Sequence, residues 1–291
     1  MKVLVAGASG VVGREIVLLL KQRGHFVRTL SKSVARAEPL RQLADEVRVL
    51  DATLAASVEG SCHGLEMVIS ALGAPVSANG KERRSFAEVD LKANLNLLAE
   101  ARRAGVRRFV YVGVFSQPAY ASTAYVQAHA QVERAIREAG IEYGFVRTTG
   151  VYGALAEMLS MALKGPLPVI DDGSALTNPI DERDVAEAVL CALDAPGSSE
   201  VDIGGPETLS RRQIAETAFS ALGRPARLFT LPLWALKVVS FVYGLFNRRM
   251  GEFLAFMQLA LTHSCVAPTP GKRRLLDHFA ARARALGRTE R

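Results

Sequence analysis

Cysteine is scarce in this chain: Cys62, Cys191 and Cys265 are the only three in 291 residues, and they stand far apart. An odd, scattered set supports neither a disulfide framework nor a CxxC metal site and fits a reducing compartment. The five histidines form no HExxH or paired pattern, so no metal centre is expected. The chain also lacks an apolar run of the ~20 residues that a membrane-spanning helix needs. Its longest, "LPLWALKVVSFVYGLF" at 231–246, is shorter and contains Lys237. No signal core with a small-residue cleavage site is visible near Met1, which implies a cytoplasmic protein.

Acid is short at one end. The formal charge is +7, and from Lys272 to Arg291 seven bases face two acids, so this tail carries +5 of the total. A terminal excess of this kind reads as a solvated helix or frayed end, and no nucleic-acid partner is expected.

What is present is globular composition, with 49% hydrophobic and 22% charged residues. In the first half, short apolar strands alternate with helices. "KVLVAGAS" is followed by the helix "GREIVLLLKQRG", and "HFVRTL" by a helix over 34–44. "EVRVLD" is followed by a helix near 54–62, and "MVISALG" by the long helix of "FAEVDLKANLNLLAEARRAG". "RRFVYVGV", a further helix and "EYGFVRTTGVYG" complete the series. Fully apolar strands separated by helices imply a parallel sheet covered on both faces. The expected fold is therefore α/β, a Rossmann-type doubly wound parallel sheet with a small, mainly helical C-terminal subdomain on the substrate side. The expected division is a dinucleotide-binding domain over 1–150, a discontinuous part over 151–271 that partly returns to the sheet, and the basic tail over 272–291. "TLSRRQIAETAFSALG" reads as a helix begun by Thr208 or Ser210 and stopped by Gly223, and the chain after Pro232 reads as helical to about residue 262.

"VLVAGASGVVGREIV" sets Gly7, Gly10 and Gly13 between the first strand and the first helix. Gly7 allows the tight turn, Gly10 lets backbone approach a pyrophosphate, and Gly13 lets the helix pack closely on the strand. The helix N-terminus then offers free N–H groups and positive dipole to the phosphates. An acid about 20 residues on would select NAD by holding the ribose hydroxyls. Here the second strand ends "VRTLSKS", with Arg28, Ser31 and Lys32 and no acid, so NADP(H) is favoured over NAD(H).

With these residues placed, the chain resembles the atypical or extended short-chain dehydrogenase/reductases, and among them the NmrA-like and complex I accessory-subunit-like NAD(P)-binding proteins. The resemblance runs through "GASGVVG", "DAT" from Asp51, "VISALG", "VDLKANLNLLAEARRAGVRRFVYVGV", "NPIDERDVAEAV" and "DIGGPETLSRRQIAE". It implies that Gly7, Ser9, Gly10, Val12 and Gly13 line the cofactor phosphates and that Lys32 approaches the adenosine ribose phosphate. It also implies that Asp51 and Ala52 lie near the adenine, and Ala71, Leu72 and Gly73 near the nicotinamide-side ribose. "NPIDERDVAEAV" would be structural, with Asp181 and Asp184 as helix caps rather than catalytic acids.

Catalytic members of the superfamily follow their tyrosine four residues later with lysine, whose charge lowers the phenol pKa from about 10 and holds the nicotinamide ribose. This chain has Tyr125 and His129 in "YVQAH", and no lysine between Lys92 and Lys164. Ser116 remains as a candidate for the superfamily's serine, because Gly113 fills the usual place at the strand end. Three readings stand for the pair: a weakened proton relay, a ribose contact by His129 in an enzyme that needs no tyrosine acid, or inert helix surface. The departure Arg147-Thr148, where relatives show arginine-proline, adds a hydroxyl near the expected cleft.

The segment 231–261 carries Trp234, Phe241, Tyr243, Phe246, Phe253, Phe256 and Met257 around Arg248 and Arg249. It reads as a helical hairpin buried on the sheet domain, as a cap over a large hydrophobic substrate, or as a peripheral membrane contact. The functional expectation is an NADP-dependent oxidoreductase that transfers hydride to a hydrophobic carbonyl, quinone or conjugated substrate. The alternative is a non-catalytic NAD(P)-binding redox sensor or assembly scaffold. A nucleotide-sugar epimerase fits less well, since that chemistry also leans on the missing lysine.

Overall fold

The computed structural model describes residues 1–73 and 83–289; Glu290 and Arg291 of the basic tail lie outside the described residues. The chain falls into two compact units that interleave along the sequence rather than dividing at residue 150. The first comprises Met1–Val114, Ala124–Arg147 and Val185–Val201, and the second Phe115–Thr123, Thr148–Asp184 and Asp202–Arg291.

The first unit contains β1 (Lys2–Ala6), β2 (Phe26–Ser31), β3 (Glu46–Val49), β4 (Met67–Ser70) and β5 (Arg108–Val114), and nearly all of β6 (Glu142–Thr148). The sheet order runs β3-β2-β1-β4-β5-β6 and continues through β9 (Ser199–Gly204) to β12 (Thr269–Pro270). The reversal at β1, with β2 on one side and β4 on the other, is the topological switch point at which such sheets bind dinucleotides. Pairing is parallel between β1 and both neighbours, with Val5 opposite Thr29 and Ile69. Val3, Leu4, Val5 and Ala6 are fully buried, as a strand covered on both faces requires. The helix Val11–Gln22 buries Gly13, Ile16, Val17 and Leu20, one stripe at helical spacing. The helices Lys92–Arg103 and Ala124–Glu138 add Leu97, Leu98, Val132 and Ile136 to a core built on Leu4, Val68, Phe109 and Phe145.

Two expected helices are shorter than their patterns suggest. The one over 34–44 is only Val34–Ala37, followed by a 3₁₀ turn at Glu38–Leu40, because Pro39 removes a backbone donor. The one near 54–62 is only Ala55–Val58.

In the second unit, β7 (Leu167–Ile170) pairs in parallel with β11 (Leu228–Leu231), and β8 (Leu176–Thr177) pairs antiparallel with β10 (Leu209–Ser210). The helix Arg211–Ala221 starts at Ser210, whose hydroxyl accepts from Gln213 N–H while the Gln213 side chain returns a bond to Ser210 N–H. Its core joins Tyr152, Leu159, Val169, Ile214 and Phe219 to Leu275 and Phe279. Among the described residues the basic tail is not wholly solvated: Leu275–Thr289 is a helix that buries Leu275 and Phe279. The apolar stretch after Pro232 is two helices, Leu233–Phe246 and Arg248–Thr262, broken at Asn247, which turns extended and caps the second through Met250 N–H. No helix among the described residues is long and apolar enough to cross a membrane.

Candidate functional site

The glycine turn is built for a ligand that approaches backbone. Gly7 sits at φ +84°, and a Cβ there would lie 2.3 Å from the Ala71 carbonyl oxygen. A Cβ on Gly13 would lie 2.2 Å from the Gly7 oxygen, so the first helix can sit this close only with glycine. Gly10 N–H bonds the Gly7 oxygen at 2.9 Å and closes the turn. The helix begins at Gly10 without a side-chain cap and without an acid in its first turn. The first amides of a helix have no intrahelical partner, and here no side-chain oxygen at the cap supplies one. Ser9 and Gly10 are exposed at this mouth and Val12 is half-buried. The arrangement fits a dinucleotide pyrophosphate. Ala71, Leu72 and Gly73 follow β4 directly beside the turn, and Ala71 N–H bonds the Ala6 oxygen.

At the end of β2 the three residues thought to favour a 2′-phosphate separate. Arg28 is buried: its Nε donates to Glu46 Oε2 at 2.6 Å, and its guanidinium also donates to the Ser61 and His63 carbonyls, so it is structural. Ser31 is buried too, and its hydroxyl donates to the Ser33 oxygen. Lys32 alone presents its charge to solvent, with Nζ 3.9 Å from Asp51 Oδ2. Partial burial opposes charge on Asp51, but hydrogen bonds from Thr53 and the neighbouring Lys32 and Arg84 outweigh it and hold the carboxyl below its ordinary pKa. Ala52 lies beside it, its carbonyl bonded by the Asn96 side chain.

The helix Ala124–Glu138 packs over β5 and places Tyr125 between two rings. Phe86 meets it edge-on at 4.9 Å between centroids, and His129 does so at 4.8 Å. Nδ1 of His129 lies 2.7 Å from the hydroxyl of Tyr111, a fully buried residue of β5. Burial lowers the His129 pKa to about 4. Burial, together with Tyr125, Asp90 and Glu133, raises that of Tyr111 well above the ordinary phenol value. Both facts keep Tyr111 protonated and the imidazole neutral; with Tyr111 donating to Nδ1, the ring's proton is on Nε2. His129 is thus packed against β5, and its neutral ring carries no positive charge to replace lysine's.

Asp90, buried with its Oδ1 3.3 Å from where a Gly73 Cβ would stand, adjoins the same corner, and Asn94 ties its carbonyl to the Ser70 hydroxyl. Tyr111, Asp90 and Asn94 escaped notice in the sequence because strand and helix patterning marks them only as core positions. Gly113 adjoins Glu133, whose carboxylate holds Arg147 through two 2.8 Å bonds.

The remaining candidates lie in the second unit. Ser116 belongs to its 115–123 segment and is half-buried. Thr148 is buried and its hydroxyl donates to the Thr149 oxygen at 2.6 Å. Asp181 caps the helix Glu182–Asp194 through Arg183 N–H, as expected. Asp184 does not cap it; it accepts from the N–H groups of Lys272 and Arg273 and pairs with the Arg273 guanidinium. Asn178 likewise ties down Ala267 by two backbone bonds, which makes "NPIDERDVAEAV" a structural clamp. Folding also brings His278 within 4.8 Å of Asp181 and Glu182, a grouping that no sequence spacing reveals. Burial pushes the Cys62 thiol up to about 11 and also raises Cys265, so neither is an activated nucleophile.

The profile of the NAD(P)H-binding family matches residues 7–196. Photosystem II assembly factor Ycf39 of Trieres chinensis is 22% identical over 264 residues, covering 89% of this chain and 82% of the relative. Divinyl chlorophyllide a 8-vinyl-reductase of Arabidopsis thaliana is 26% identical over 273 residues, covering 85% of this chain and 63% of the relative. Among solved structures, UDP-glucose 4-epimerase of Thermotoga maritima superposes with TM-score 0.77 at 18% identity over the whole of both chains. The NADPH-dependent quinone oxidoreductase of Escherichia coli gives 0.72 at 16% identity, over 98% of this chain and 99% of its own. At these identities the solved structures speak for the fold.

Proposed function

The chain belongs to the NAD(P)H-binding family as an atypical short-chain dehydrogenase/reductase-like protein, and from that premise we propose that it is an NADP-dependent reductase of a hydrophobic quinone, enone or other conjugated acceptor. The bound reduced nicotinamide would supply a hydride. Amides of the turn from Gly7 to Gly13 hold the pyrophosphate, with Ser9 and Val12 at its mouth, and Lys32 meets the 2′-phosphate. Nε2–H of His129 is the donor for a ribose hydroxyl.

The observation that carries this reading is the Tyr111–His129 bond. A neutral imidazole cannot acidify Tyr125 as a lysine would, which disfavours a simple carbonyl reductase. A conjugated acceptor takes hydride at one carbon and a solvent proton at its far end, so positioning suffices. The names of two relatives agree in kind, the 8-vinyl-reductase and the 3-diazoavenalumate denitrifying reductase of a Streptomyces species. The test is NADPH consumption against a panel of quinones, enones and saturated ketones. Turnover of the first two classes, with Tyr125→Phe retaining most of it, is expected; turnover restricted to ketones and abolished by Tyr125→Phe would overturn the reading.

A second reading rests on the assembly-factor relatives. A non-catalytic NADPH-binding scaffold would bind cofactor at the same turn and consume none with any member of the panel.

A further inference from the structure

The helix Leu233–Phe246 buries only Leu236 and Ser240 along its 14 residues. Trp234, Phe241, Leu245 and Phe246 are 66–77% exposed, and Val238, Val239, Val242 and Tyr243 are 43–55% exposed. Trp234, Val238, Phe241, Val242 and Leu245 recur at i, i+4, i+7, i+8 and i+11, one continuous stripe, which Val239, Tyr243 and Phe246 widen. The ridge is held in place at both ends: Leu233 N–H bonds Asp171 Oδ1 at 3.0 Å, and Gly244 meets Gly251 of the returning helix so closely that a Cβ on Gly251 would lie 2.6 Å from the Gly244 Cα.

Charge identifies what such a ridge meets. Between Thr217 and Gly251 the chain has five bases, Arg224, Arg227, Lys237, Arg248 and Arg249, and no acid. Arg224, Arg227, Lys237 and Arg248 are exposed. The next acid, Glu252, is already bonded to Arg248 at 3.1 Å. With Asp171 engaged at Leu233 N–H, a second copy of this chain on the same face would set the bases of one copy against those of the other with few acids between them. A convex apolar ridge with aromatic rings and a basic fringe matches the headgroup and acyl boundary of an anionic bilayer, into which an interfacial helix sinks about 5–10 Å.

We propose that the helix Leu233–Phe246 docks this protein on an anionic membrane surface. The ridge lies in the interface plane, Trp234, Phe241 and Phe246 enter the acyl boundary, and Lys237 and Arg248 engage lipid phosphates. The inference goes beyond the reductase reading and is independent of it.

Trp234 is the only tryptophan of the chain, so its emission reports on this helix alone. The full-length protein is titrated with phosphatidylglycerol–phosphatidylcholine vesicles and, separately, with phosphatidylcholine alone. The expected results are a blue shift, protection from acrylamide and co-sedimentation with the anionic vesicles, weakened about tenfold or more from about 50 to about 500 mM salt. The double variant Phe241→Ser/Phe246→Ser should lose at least about tenfold in vesicle partitioning while retaining NADPH affinity and wild-type circular dichroism. Unshifted Trp234 emission with no co-sedimentation overturns the proposal, as does equal binding to neutral vesicles. A blue shift that follows protein concentration without lipid, with a dimer in light scattering, assigns the ridge to a second copy and overturns it too.

Discussion

The Tyr111 hydroxyl and His129 Nδ1 share a 2.7 Å hydrogen bond, made where the helix Ala124–Glu138 crosses β5. It joins the residue in the superfamily's lysine position to a buried phenol. Burial at this contact keeps His129 neutral rather than cationic, and its consequences can be measured.

Stability should fall in acid through His129. Its folded pKa is about 4, while in the unfolded chain the ring titrates near the ordinary 6.5. The unfolded state therefore binds a proton that the native state refuses. The contribution is fully present above about 6.5, is lost as pH falls toward about 4, and is flat below that. Its size is about 3 kcal/mol. Thermal melts across this range should show a shallower slope in His129→Gln; parallel profiles would mean that native His129 protonates freely.

Removing the phenol should leave the histidine neutral. In Tyr111→Phe, Nδ1 loses its hydrogen-bond partner, but the burial that lowers the His129 pKa remains, so the ring should still titrate well below 6.5. The lost buried bond costs about 1–2 kcal/mol. Imidazole resonances followed by NMR against pH check this, and a His129 that titrates near 6.5 in the variant would assign the lowered pKa to the Tyr111 bond instead of burial.

Gly13→Ala should cripple the turn. Its Cβ would stand 2.2 Å from the Gly7 oxygen, so the first helix must retreat from β1. A loss of about 2 kcal/mol or more is expected, with NADPH binding at least about tenfold weaker in a fluorescence titration.

Lys32→Glu separates the cofactors. The exposed cation is lost and an acid enters, so NADPH affinity should fall about tenfold or more while NADH affinity stays level or improves. Equal losses for both nucleotides in calorimetry would remove Lys32 from phosphate recognition.

Gly251→Ala decides whether the helical hairpin is tight. On helix propensity alone the change would stabilise by up to about 1 kcal/mol. The 2.6 Å approach of a Cβ to the Gly244 Cα reverses the sign, and a lower Tm with helix content preserved is expected. A raised Tm would show that the two backbones do not meet there.

Local rules carried much of this protein in its sequence alone. Fully apolar strands alternating with helices determined a parallel sheet covered on both faces, because only such a sheet buries strands like β1 and β4 on both sides. The glycines of the first turn determined a cradle, because φ of +84° at Gly7 and the 2.2 Å approach to Gly13 exclude any side chain. The stop at Gly223 and a cap at Thr208 or Ser210 were likewise legible, being set by neighbours within a few residues, whereas the helix read over 34–44 ran through Pro39 and in fact breaks after Ala37. Tertiary structure alone decided which charges face solvent. Arg28 and Lys32 are four residues apart and looked equivalent, yet one is buried on Glu46 and the other exposed, since strand pairing and not chain position sets the dielectric around each. The same holds for His129: its identity was visible at once, but its charge depended on burial and its hydrogen bond on Tyr111, 18 residues away, and both come only from the packing of helix on strand.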